Sequence, residues 1–102
     1  MNKLTRNDLE GSIRHWSRMA RGKRNLYEDH LSDSCALCRR FLEKKCVGCP
    51  IFKDTGVRNC RNMYWSACSS AWRNNNRDYD SPAFKDAAKK FLVYLKSLRP
   101  KI

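Results

Sequence analysis

No long apolar run occurs in this 102-residue sequence; nothing approaches the roughly 20 consecutive apolar residues that span a bilayer. Residues Met1 to Asn7 carry no hydrophobic stretch of the secretory kind. Both absences lead to the expectation of a protein of the reducing cytoplasm that does not engage a membrane. Core material is also scarce, with 31% charged residues and a mean hydropathy of −0.79. There is no strand-like alternation longer than a few residues, no internal repeat and no low-complexity segment. The expected fold is therefore a single small all-α domain over residues 1–102. Catalytic furniture is missing as well: no glycine-rich phosphate loop, no Ser-His-Asp set and no paired carboxylates stand out. The expectation is a protein that is not an enzyme and takes no small-molecule substrate.

Against these absences stand six cysteines, four of them in two Cys-x-x-Cys pairs separated by seven residues: Cys35, Cys38, Cys46 and Cys49. Two such turns can converge four thiolates on one soft divalent ion. In a cytosolic setting cysteines at this density favour metal over disulfides, and a structural metal supplies the stability that a thin core lacks. A disulfide framework, an iron–sulfur cluster and ordinary buried thiols are the alternatives. Cys60, eleven residues past Cys49, either replaces one of the four or lies nearby as a thiol. Four thiolates close the coordination shell and leave no position for an activated water, so the expected Zn²⁺ is structural. Cys68 falls on an apolar helix face and is expected to be a small core residue.

Four helical stretches can be placed around this zinc knuckle. In the first, Thr5 and Asp8 have capping-box spacing, and Leu4 is positioned to staple onto Leu9. Leu9, Ile13, Trp16 and Ala20 form its buried stripe, and Gly22 stops it. His15, beside Trp16, reads as a partly exposed surface residue. Residues 22 to 34 are a connection with a possible helical turn from Leu26 to Leu31. A short helix from Cys35 to about Glu43 turns Leu37 and Phe41 inward, and Pro50 prevents helix continuation after the second cysteine pair. Ile51 and Phe52 return to the core before an Asp54-Thr55-Gly56 turn. A third helix runs from about Asn62 to Arg73 with Trp65, Cys68 and Trp72 on one face, and Asn74 to Asn76 break it. Ser81 and Pro82 open the last helix, whose stripe is Phe84, Ala88, Phe91, Leu95 and Leu98.

The stretch SCALC…CVGCPIFKDTG…C, Cys35 to Cys60, resembles a group of small cysteine-rich phage and prophage proteins of unknown function. Their pattern is Cys-x-x-Cys, a second Cys-x-x-Cys-Pro, a Thr-Gly turn and a fifth cysteine. It is followed by a helix ending in an apolar segment comparable to Leu95-Lys96-Ser97-Leu98-Arg99-Pro100. The resemblance covers about two thirds of the chain. It implies a phage or mobile-element origin and a host-cell cytoplasmic setting, and it strengthens Cys60 as a candidate ligand.

Basic residues outnumber acidic ones 22 to 10, giving a formal charge of +12. The excess is present in each third of the chain, which describes a basic folded surface and not a tail. Arg14, Arg18 and Arg21 make one stripe on the first helix, Lys85, Lys89 and Lys96 another on the last, and Arg39 and Arg40 flank the first cysteine pair. Such a surface suits nucleic acid, whose phosphates exchange counterions for Lys and Arg. Trp65 and Tyr79 are candidates for stacking on single strands. The competing reading is an interaction factor that docks on an acidic host or phage protein, with its tryptophans as anchors. A third reading starts from Asp29-His30 ahead of a Cys-x-x-Cys, which is similar to a fragment of a His-Asn-His nuclease motif. The strand pair is missing, and the other histidine, His15, lies on the first helix.

Overall fold

A computed structural model describes residues 3–30, 36–41, 46–57 and 63–101, apart from the side chains of Cys38 and Lys101. Among the described residues five α-helices follow in order: α1 Lys3–Arg21, α2 Ala36–Phe41, α3 Pro50–Thr55, α4 Met63–Asn74 and α5 Pro82–Ser97. A 3-10 turn, Arg99–Lys101, follows α5. No strand occurs among the described residues, so the all-α class holds. None of the described helices is long and apolar enough to cross a membrane.

α5 is the central element, with α1 and α4 packed along it and α2 laid on α1. Its start is fixed locally: Ser81 Oγ accepts the Phe84 amide at 3.2 Å, and Pro82 occupies the first turn, where its missing N–H is harmless. Its stripe of Phe84, Ala88, Phe91, Leu95 and Leu98 is buried throughout. From α1 come Leu9, Ile13, Trp16, Met19 and Ala20, and the Trp16 and Phe91 rings meet at 4.7 Å. Leu37, Phe41, Ile51 and Cys68 complete this core from the shorter helices. Ser12, fully buried, joins α1 to α2 by accepting the Leu37 amide at 3.1 Å. Gly11 permits this approach, because a Cβ there would lie 3.0 Å from the Ala36 Cβ.

Several local expectations are overruled. α1 already includes Lys3, so Thr5 lies inside its first turn with its side chain buried and does not cap it. Thr5 is one turn before Leu9 on the buried stripe, and tertiary packing outranks the local capping pattern. Leu4 is exposed and does not staple onto Leu9. Pro50 does end one segment, yet it also opens α3 at its first position. Gly56, at φ 71°, closes α3 with its amide on the Phe52 carbonyl at 2.8 Å. The expected Asp54-Thr55-Gly56 turn is thus the C-terminal end of a helix. The expected helical turn after Leu26 is a single tight turn, in which the Glu28 amide bonds the Asn25 carbonyl and Tyr27 adopts φ 68°. Leu31, the end of that expected turn, lies outside the described residues.

Candidate functional site

His15 is the clearest misplacement by sequence. It is 1% exposed, and its Nδ1–H donates to Glu28 Oε2. The Arg18 guanidinium donates to the same carboxylate from Nε and Nη2 at 2.8–3.1 Å, and the Asn25 amide donates to Oε1 at 2.8 Å. Burial alone would raise the Glu28 carboxyl, but the donors from Arg18, His15 and Asn25 outweigh it and hold the carboxyl down at about 2. Burial pushes His15 below its ordinary value despite the carboxylate, and its buried Nε2 has no hydrogen-bond partner that would stabilise an added proton. This network ties the connection after α1 to the helix itself. It also removes Arg18 from the exposed basic stripe, since that guanidinium is committed to Glu28 and only 32% exposed.

His30 occupies a second buried position, enclosed by the rings of Trp65, Trp72 and Tyr79 at centroid distances of 5.5, 4.7 and 5.8 Å. Its Nδ1 shares a 2.9 Å hydrogen bond with the Tyr79 hydroxyl, and its carbonyl accepts Trp65 Nε1–H at 2.7 Å. Burial depresses its pKa. Trp65 and Tyr79, expected as stacking surfaces, are therefore half-buried walls around a histidine.

Five of the remaining candidate basic residues fall into two patches. Arg39 and Arg40 are exposed on α2, and Arg40 Nε pairs with Asp8 near the start of α1. Arg21 lies thirteen residues after Asp8, about 20 Å along the helix at 1.5 Å per residue. There it meets α5: Arg21, Lys85 and Lys89 line one open groove of about 600 Å³, together with Ala20, Pro82 and Asp86. Asp86 is 3.4 Å from Lys90, an exposed pair of one helical turn. Lys85 also crosses the Gly22 turn, its Nζ 3.6 Å from where a Cβ on that glycine would stand. The end of one sequence stripe, Arg21, and the start of the other, Lys85 and Lys89, thus share one groove. Arg14 and Lys96 are exposed, on α1 and α5.

Lys89 borders a second groove of about 500 Å³ on the other side, lined by Tyr64, Tyr94, Val93 and Lys90. Tyr64 and Tyr94 stack there at 4.4 Å with 14° between planes. The Tyr94 hydroxyl donates to Asp54 of α3 at 2.6 Å. Sequence reasoning missed this pair, because residues thirty positions apart share no local spacing signal.

Of the five candidate metal ligands, Cys35, Cys60 and the side chain of Cys38 lie outside the described residues. Cys46 and Cys49 are buried in one tight turn, the Cys49 amide on the Cys46 carbonyl at 3.0 Å and the Cys46 amide on the Phe41 carbonyl at 2.9 Å. Cys46 has φ 65° and Gly48 φ 91°, so the chain folds back under the pair. Among the described residues no three His, Cys, Asp or Glu groups converge as a metal site. Cys68 is fully buried in the core, where burial pushes its thiol up to about 12.

Fold and surface together define a small all-α protein with a basic groove between its first and last helices. No protein-family profile, no curated protein and no solved structure matches the chain.

Proposed function

We propose that this protein acts by binding and not by catalysis, and that its ligand is nucleic acid held at the junction of α1 and α5. The observation that carries this reading is the convergence of Arg21, Lys85 and Lys89 on one groove in a chain of charge +12. Cations gathered from two helices can neutralise neighbouring phosphates and release their counterions. Arg14 extends the surface along α1, while Arg39 and Arg40 form a separate and weaker contact. Replacing Arg21, Lys85 and Lys89 together by Gln tests the reading, since Gln keeps the helices and removes the charge. Affinity for DNA or RNA should fall similarly across sequences, because phosphate contacts position without reading bases.

The same reading includes one structural Zn²⁺ held by Cys35, Cys38, Cys46 and Cys49, with Cys60 as the alternative fourth ligand. Its support is the Cys46–Cys49 turn, whose left-handed residues suit two sulfurs presented to one point. A cytoplasmic setting and a phage or mobile-element origin belong with it.

One observation favours an acidic protein partner instead. Leu26 and Tyr27 are 80% and 87% exposed at the tip of the turn that Glu28 anchors. An exposed apolar tip beside Lys23 is a fair docking knob. Absence of nucleic-acid binding at low salt would favour this reading.

A further inference from the structure

We infer that the nucleic acid bound is single-stranded and that Tyr64 and Tyr94 form a base-stacking platform beside the lysines; this rests on the nucleic-acid reading above. Lys89 lines both grooves, so the basic groove and the tyrosine groove adjoin at this side chain on the exposed face of α5. The lining residues from Lys85 to Ser97 span about 18 Å of α5 at 1.5 Å per residue. The first groove presents Arg21, Lys85 and Lys89 beside Asp86, which pairs with Lys90, and the second presents aromatic and aliphatic surface. That alternation of backbone neutralisation and π-surface is what an unpaired strand requires. A duplex has its bases stacked on one another, so it could use the lysines and not the tyrosines.

The platform is also ordered in advance. Tyr94 is held by its hydroxyl on Asp54, and Tyr64 is held nearly parallel to Tyr94 and stacked on the Phe91 side of the core. A base added to a fixed ring pair loses little to ordering the protein. An acidic peptide would find the same lysines, but its carboxylates gain nothing from the ring faces. Charge and aromatic surface together therefore select an unpaired strand.

The test compares a fluorescent thymidine oligonucleotide with a duplex of equal length, using the wild-type protein and Lys85→Gln and Tyr64→Leu variants. The expected result is a preference for the single strand of about fivefold or more, corresponding to one stacked base. Lys85→Gln should weaken both ligands, whereas Tyr64→Leu should weaken the single strand and abolish the preference. Because Tyr64→Leu could perturb packing, photocrosslinking of the wild-type protein to a 5-bromouracil-containing strand provides the second measurement. The adduct should map to the peptide containing Tyr64 or Tyr94. Equal binding of both ligands, or a preference unchanged in Tyr64→Leu with crosslinks elsewhere, overturns the platform and leaves the nucleic-acid reading standing. No binding to either ligand at about 50 mM salt, or Tyr64-dependent binding of polyglutamate instead, overturns both.

Discussion

At the scale of the residue, Glu28 carries the most consequence. A buried carboxylate costs stability unless donors surround it, and Glu28 has Arg18, His15 and the Asn25 amide. Its folded-state pKa lies below the unfolded one, so its contribution is present above about pH 4.5 and is lost as pH falls toward 2. His15 acts in the same direction. Its ring is held neutral in the fold, so acid favours the unfolded chain, which takes up a proton at about pH 6.5. Stability should therefore start to decline below about pH 6.5 and fall faster below 4.5. The Glu28 part is on the order of 3 kcal/mol, for a carboxyl held at about 2 against an ordinary 4.5. Glu28→Gln should lower stability at neutral pH by about 2–4 kcal/mol and flatten the acid limb, as read by urea unfolding across pH. None of this was legible in the sequence. His15 follows an arginine and precedes a tryptophan, and nothing local reveals that a carboxylate thirteen residues away closes over it.

At the scale of the element, what could be read was what is decided within one or two turns. Ser81-Pro82 announces the start of α5, and its stripe from Phe84 to Leu98 is buried as the spacing predicts. Ser81→Ala should cost about 1 kcal/mol of unfolding free energy, because the Phe84 amide loses its acceptor. A midpoint in urea unchanged by that substitution would deny the cap its role. α3 escaped notice because six residues give too little periodicity, and Pro50 was legible as a stop more readily than as a start. The cysteine turn is an element of the same kind. Elemental analysis of protein purified without added metal should find about one zinc per chain, and chelation should abolish cooperative unfolding. Iron with visible absorption, or a metal-free protein with three disulfides, would contradict the ligand set. Cys60→Ser should retain the zinc if the four paired cysteines hold it.

At the scale of the whole molecule, the sequence carried the total charge but not its arrangement. Arg21 and Lys85 are 64 positions apart, and only the packing of α1 on α5 brings them to one groove. The turn after α1 spends Arg18 on Glu28, and the packing of α2 on α1 leaves the Arg39–Arg40 pair near the start of α1. Tyr64 and Tyr94 meet because α4 also lies on α5. The fold class was thus legible from helical stripes, whereas the candidate interface is a product of how those stripes dock.

If this groove binds phosphates, affinity must fall with salt at a slope set by its cations. Three phosphate contacts give a slope of log K against log salt near −2 on a single strand and near −3 on a duplex, with further basic residues steepening both. The Arg21/Lys85/Lys89→Gln variant should lose about 2 units of slope on a single strand while its urea midpoint stays close to that of the wild type. A slope unchanged by the triple substitution, or no binding at about 50 mM salt, would contradict the account.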